Sequence, residues 1–180
     1  MSATLTTDRL VLRPYQRSDA WALAHHLSDV RVSWTLGRVP HPYALEDAHA
    51  FLETRPDGFV VTLKDSGDLI GACGVHETAE KRAMPGFEIG YWIGLPFWGC
   101  GYATETARAV TGDWFARSGG AELYSGHFID NPASGRVLEK AGFETLDWGE
   151  VWCEARQHHV AHRWLRLTRA RWDDLAHKGA

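Results

Sequence analysis

The sequence predicts an α+β fold: one domain over residues 1–180, built on a twisted, mixed and mostly antiparallel sheet flanked by helices. Three observations predict it. With 44% hydrophobic and 23% charged residues the chain can bury a full core, yet no apolar run approaches the ~20 residues of a membrane span. Short runs rich in β-branched and aromatic residues recur between turn residues. Finally, the order strand, glycine turn, helix, strand, helix makes a right-handed crossover unit that joins two parallel strands.

Leu10-Val-Leu12 opens as a strand. Ser18-Asp19 supplies cap oxygens for a helix that carries Trp21, Leu23, Ala24 and Leu27 toward the core. A second helix runs from Leu45 to Thr54, with Leu45, Ala48, Phe51 and Leu52 on one face. Between them Ser33–Tyr43, rich in proline, glycine and aromatics, reads as a loop able to close over a site, with Trp34 as a pocket wall. Phe59–Leu63, the turn Asp65-Ser-Gly67 and Leu69–Val75 make a hairpin, and Phe87–Ile93 is the next strand. Ala103, Ala107, Val110 and Trp114 recur at helical spacing, which predicts a helix over Tyr102–Ala116 packed on the sheet. Leu123–Phe128 is a strand. Asn131-Pro132 caps a helix with Val137, Leu138 and Ala141 on its apolar face, and Gly142 ends it. Phe143–Trp148 and Val160–Leu167 are two further strands, and Thr168 starts a terminal helix.

The most informative segment is Phe97-Trp-Gly-Cys-Gly-Tyr-Ala-Thr-Glu105. Glycines at alternate positions between a strand and a helix let successive backbone N–H groups converge on a phosphate, because a Cβ would hold the chain away and positive φ is needed. A net charge of −4 argues against a nucleic-acid surface and is compatible with a cationic or neutral substrate. Cys73, Cys100 and Cys153 are odd in number and never form a Cys-x-x-Cys pair, so free thiols are expected. His158-His-Val-Ala-His162 reads as a strand without the glutamate of a zinc helix, and no metal is assigned. The first residues lack the basic and apolar regions of a signal peptide, so the cytoplasm is the expected location.

Four segments in order, Thr7-Asp-Arg-Leu-Val-Leu-Arg-Pro14, Phe87-Glu-Ile-Gly-Tyr-Trp-Ile93, Trp98-Gly-Cys-Gly-Tyr-Ala-Thr-Glu105 and Asn131-Pro-Ala-Ser-Gly-Arg-Val-Leu-Glu-Lys-Ala-Gly-Phe143, resemble the GNAT superfamily of acetyl-CoA-dependent N-acetyltransferases. The likeness is closest to the branch typified by ribosomal-protein alanine N-acetyltransferases and covers almost the whole chain. It implies one parallel strand pair splayed around acetyl-CoA. It also implies that the backbone of Trp98, Gly99, Cys100, Gly101, Tyr102, Ala103 and Thr104 holds the pyrophosphate. Ile93 would pair with the pantetheine arm through its main chain, and Asn131 and Ser134 match positions beside the pantetheine and the thioester sulfur. The superfamily often has Arg or Gln at Trp98 and Lys at Cys100, so the phosphates would depend more on backbone N–H groups here. Many members place a tyrosine acid at Leu138, and leucine cannot donate a proton.

The implied reaction is acetyl transfer to a primary amine, a small molecule or a protein N-terminus, by direct attack. The alternative is a catalytically silent acyl-CoA-binding module. A protonated amine has no lone pair, so something must take its proton. Glu88 is the leading candidate, as base or as substrate anchor, because period-2 alternation sets Glu88, Gly90 and Trp92 on one face and Phe87, Ile89, Tyr91 and Ile93 on the other. His127 is the rival base, because histidine is the side-chain type whose reference pKa lies in the working range. Ser134 either hydrogen-bonds the leaving sulfur or satisfies its own helix. Arg136 and Lys140 could reach the CoA 3′-phosphate, and Glu77, Glu80, Asp130 and Glu154 could attract a cation but are not assigned. The expected assembly is a monomer or homodimer, with no nucleic-acid or membrane partner.

Overall fold

The computed structural model describes residues 4–54, 57–78 and 86–178. Its strands are β1 (Leu5–Thr6), β2 (Leu10–Arg13), β3 (Phe59–Leu63), β4 (Leu69–Thr78), β5 (Gly86–Ile93), β6 (Glu122–Phe128), β7 (Glu144–Cys153) and β8 (His158–Thr168). Its helices are α1 (Ala20–Leu27), α2 (Val30–Ser33), α3 (Leu45–Glu53), α4 (Tyr102–Ser118), α5 (Pro132–Lys140) and α6 (Arg169–Lys178). The strands form one sheet in the order β1-β2-β3-β4-β5-β6-β8-β7. Neighbours are antiparallel except β5 and β6, the pair joined by the crossover through α4. This is the predicted α+β sheet with one parallel pair.

Alternation along the strands gives the sheet two apolar faces, and each is covered. On one, Leu10, Leu12, Ile89, Ile93, Leu123, Leu165 and Leu167 pack with Ala107, Val110 and Phe115 of α4 and Leu138 of α5. On the other, Val60 packs with Leu23 and Leu27 of α1, Val32 of α2, and Ala48 and Leu52 of α3. α4 ends at Ser118, two residues beyond the predicted end, and is capped by Gly119 with φ 64°. The end of α5 is as predicted: Gly142 has φ 100°, Phe143 N–H donates to the Leu138 carbonyl and Gly142 N–H to that of Glu139, the paired bonds of a Schellman motif.

Several elements differ from the sequence-based expectation. A 3₁₀ turn, Arg17–Asp19, precedes α1. The Asp19 carboxylate does not cap α1 but turns back to the Gln16 N–H at 2.7 Å and to the Arg13 guanidinium at 2.7 and 2.9 Å, tying the helix to β2. Trp21 is 69% exposed, because the buried stripe of α1 is Ala20, Leu23 and Leu27; its ring stacks on His25 instead. Leu45 and Phe51 are also exposed, since α3 buries only Ala48 and Leu52. The loop reading of Ser33–Tyr43 fails at its start, where Ser33 is the last residue of α2 and is buried. The β7–β8 hairpin is longer than expected and carries a register shift between Thr145 and Asp147, a bulge that breaks the period-2 pattern.

Candidate active site

The site follows from how β5 and β6 part. They meet in register at Glu88 and Tyr124, and the Ser125 hydroxyl donates to the Ile89 carbonyl at 2.9 Å. Beyond that point β5 stays with β4 as far as Ile93↔Gly71, while β6 stays with β8 as far as Phe128↔His162. The strands therefore splay, and a cleft of about 800 Å³ passes through the gap from the α1–α3 face to the α4–α5 face. Among the residues that line it are Glu88, Trp92 and Ile93 on β5, Gly99, Gly101 and Thr104 in the turn, and Asn131 and Ser134 at the start of α5.

At the end of β5 the chain makes a 3₁₀ turn, Leu95–Phe97, and Trp98 N–H donates to the Leu95 carbonyl. Gly99 and Gly101 follow with φ of 77° and 83°, left-handed values that a residue with a Cβ adopts only under strain. The next amide with a backbone acceptor is that of Thr104, which donates to Gly101. The N–H groups of Gly99 through Ala103 have no hydrogen-bond acceptor among the described residues. A Cβ added at Gly99 would meet nothing within 4 Å, so the space over the turn is open. Unpartnered amides, open space and the positive end of a 17-residue helix together fit an anion such as a pyrophosphate.

Arg9 and Glu105 brace this turn, and sequence reasoning did not single them out. The Arg9 guanidinium donates to the Cys100 carbonyl at 2.9 Å and to Glu105 Oε2 at 2.8 Å. Glu105 Oε1 accepts from the Thr7 hydroxyl at 2.6 Å and from Arg9 N–H at 2.9 Å. Burial alone would raise the Glu105 pKa, but these bonds together outweigh it and hold the carboxyl below its usual range. The Trp98 indole N–H donates to the Ile93 carbonyl at 2.6 Å, engaging one lone pair of a main-chain group expected to serve a pantetheine amide.

Across the splay, Asn131 Oδ1 accepts from Ser134 N–H at 3.3 Å, the predicted cap of α5. The Tyr91 hydroxyl reaches from β5 to this turn, 2.9 Å from Ser134 Oγ and 3.1 Å from the Ser134 carbonyl. His127 Nδ1 donates to the Phe128 carbonyl at 2.8 Å, which makes Nε2 the unprotonated nitrogen of the neutral ring; Nε2 is buried without a partner among the described residues. His127 lies on the α5 side of the sheet and Glu88 on the α1–α3 side, so the two candidate bases face different halves of the cleft. This follows from the register, because Tyr124 shares the face of Glu88 and His127 has the opposite parity.

On the Glu88 side, His76 Nε2 stands 3.6 Å from Glu88 Oε2, an ion pair whenever His76 is protonated. Trp92, Phe128, His162 and Trp164 complete an aromatic wall. Thr35–Val39 of the aromatic loop lines this half of the cleft, stitched to the turn after β7 by Glu154 N–H donating to the Gly37 carbonyl. Trp34 does not line it. Its ring is 48% exposed and lies under the Arg156 guanidinium, which also donates to the Trp34 carbonyl. Glu80 lies outside the described residues. No group of three or more His, Cys, Asp or Glu able to hold a metal occurs among the described residues, and His158 and His162 lie on β8, the strand predicted for them.

Residues 9–144 match the family model of the acetyltransferase (GNAT) domain. The chain belongs to the GNAT acetyltransferases. It is 32% identical over 152 residues to the uncharacterized N-acetyltransferase YoaA of Bacillus subtilis (strain 168), covering 80% of this chain and 84% of that protein. In fold it is similar to a GNAT-family acetyltransferase from Bacillus anthracis, with TM-score 0.80 and 20% identity over 92% of this chain and 98% of that one. It is also similar to the ribosomal-protein-S5-alanine acetyltransferase from Vibrio fischeri, with TM-score 0.72 and 18% identity over 95% and 99% of the two chains.

As a GNAT acetyltransferase the chain shows one departure whose structural basis is plain. Leu138, where many members carry a tyrosine, is fully buried in the core beneath α5. A hydroxyl reaches the first turn of α5 instead from Tyr91, which alternation had set only on the face of β5 opposite Glu88. No helix of the described residues is long and apolar enough to cross a membrane.

Proposed function

We propose that this chain is an acetyl-CoA-dependent N-acetyltransferase, one domain over residues 1–180, that acetylates a primary amine by direct attack. The observation that carries the reading is the run of unpartnered amides from Gly99 to Ala103 at the head of α4, over open space. Family membership supports acetyl-CoA as the donor, since the family uses it. The backbone from Trp98 to Thr104 would hold the pyrophosphate, the second lone pair of the Ile93 carbonyl and Asn131 the pantetheine arm, and Arg136 and Lys140 line the same half of the cleft. When bound, acetyl-CoA supplies an activated acyl carbon and a thiolate leaving group.

The amine then approaches from the half walled by Trp92, Phe128, His162 and Trp164. It must arrive neutral or lose a proton on the way, and Glu88, at the point where the splay begins, takes that proton directly or through one water. His127, with an acceptor nitrogen on the α5 side, is the second candidate base. Ser134 faces the departing sulfur. Both a small amine and a protein N-terminus suit this open cleft, the latter in keeping with the ribosomal-protein acetyltransferase among its structural relatives. The protein works in the cytoplasm as a monomer or homodimer, with no nucleic acid or metal.

Calorimetry with acetyl-CoA tests the cradle. Gly101→Val places a β-branched residue at φ 83° and lifts the backbone from the phosphate, so binding is lost while the fold survives. Unchanged affinity in a folded variant makes this loop only a turn and removes the basis of the reading.

A further inference from the structure

We propose that Tyr91 is a positioning residue for the acyl-transfer step, acting through Ser134: its O–H donates to Ser134 Oγ and so frees the serine proton to point at the departing sulfur. The inference rests on the proposed function, in which the thioester lies in the splay between β5 and α5.

The geometry is specific. Tyr91 shares the α4–α5 face of β5 with Ile89 and Ile93, and its ring packs against the main core. Its hydroxyl nevertheless crosses the splay to the first turn of α5, within hydrogen-bond reach of both Ser134 oxygens. A phenol has one proton and can satisfy only one of them at a time. With the proton on the Ser134 carbonyl, the serine must point its own hydrogen back at Tyr91. With the proton on Ser134 Oγ, the serine hydrogen is released toward the cleft, which Ser134 lines. A negative sulfur in the cleft favours the second state, because it offers that hydrogen a charged acceptor. Ser134 has its backbone fixed by the Asn131 cap but has a free hydroxyl rotor, and Tyr91 removes that freedom.

The fold shows why this residue is needed. Ser134 and Leu138 are one helical turn apart, so a donor at 138 would point along the same side of α5 as the serine. Leu138 has no donor and is fully buried, leaving the first turn of α5 to be served from the strand. Burial pushes the Tyr91 pKa up, against the opposing effect of the Ser134 hydrogen bond, so the phenol keeps its proton throughout. The step balances without it. The ammonium first gives one proton to Glu88 or water; the neutral nitrogen then bonds the acyl carbon, the C–S bond breaks with its electron pair going to sulfur, and the second nitrogen proton passes to water. Ser134 donates a hydrogen bond to the thiolate and Tyr91 donates one to Ser134.

The test is a double-mutant cycle on kcat with saturating acetyl-CoA and an accepted amine, using Tyr91→Phe, Ser134→Ala and the double variant. Tyr91→Phe is expected to lower kcat about tenfold, the worth of one hydrogen bond in the transition state, with acetyl-CoA affinity and the KM for amine unchanged. In the Ser134→Ala background the same change costs nothing further. Additive losses, or no loss in the single variant, overturn the inference, because a merely structural tyrosine would not couple to the serine hydroxyl. Should Tyr91→Phe fail to fold, 3-fluorotyrosine at position 91 keeps the ring and sharpens the donor. A raised kcat then supports the relay and an unchanged one overturns it. A wild type that acetylates no amine overturns this inference and the proposed function together; an active wild type with an uncoupled Tyr91 overturns this inference alone.

Discussion

The His127 imidazole stands against the α-carbon of Gly135: a β-carbon built there would lie 2.7 Å from Nε2 and 3.0 Å from Cε1. Close packing of ring on glycine lets α5 lie low on β6, which sets how near Asn131 and Ser134 come to the splay. Gly135 is thus required by approach distance, at a helix position where glycine is otherwise unfavourable.

The Gly135→Ala exchange should therefore change sign with its neighbour. In the wild type it destabilises, because overpacking costs about 1–3 kcal/mol while the gain in helix propensity is only about 0.8–1.0 kcal/mol. In a His127→Ala background the ring is gone and the same exchange stabilises. Denaturant midpoints of the four proteins decide it, and a destabilising step in both backgrounds would show that His127 is not what fixes α5.

Glu88→Gln keeps the side-chain shape but cannot hold a proton. If Glu88 is the base, kcat falls by roughly 10²-fold or more at neutral pH, and the loss shrinks as pH approaches the pKa of the amine, where the nucleophile is already neutral. A pH–rate profile reads this directly. A raised KM for amine with kcat intact makes Glu88 an anchor and passes the base role to His127 or water.

Glu105 carries a pH dependence of known sign. Burial opposes its ionisation, but the bonds from Thr7 and Arg9 prevail and its folded pKa lies below the unfolded value of about 4.3. The unfolded chain thus binds the extra proton first. The stabilisation is fully present above that unfolded value and is lost as pH falls through the folded one. Urea midpoints followed into the acid range should drop more steeply for wild type than for Glu105→Gln. Equal slopes would mean that the Arg9–Glu105 brace does not stabilise the cradle turn.

Much of the site was legible because it depends on local backbone rules. Gly99 and Gly101 announce positive φ, Asn131 announces a cap, Gly142 a helix end, and alternation along β5 puts Glu88 and Trp92 on one wall of the cleft. Contacts made across the sheet left weaker traces. Arg9 and Glu105 are 96 residues apart and meet only because β2 passes under the turn. Parity set Tyr91 on the face opposite Glu88, which its ring obeys by packing on the core, but parity is silent about a hydroxyl that reaches another element. Trp34 was expected to wall the pocket, but Arg156, supplied by the turn after β7, draws it outward. The bulge after Thr145 shifts the side-chain parity of β7 and hid half of that strand.

The central claim, acetyl transfer from acetyl-CoA to a primary amine, is tested most directly by a panel of small amines and peptide N-termini incubated with protein and acetyl-CoA. Mass spectrometry reads the acceptor and a thiol assay reads free CoA. The account predicts an acceptor that gains one acetyl group, with free CoA released in equal amount and no acetylated protein species. Tight acetyl-CoA binding with no acetylated amine across the panel would contradict it and leave an acyl-CoA-binding module.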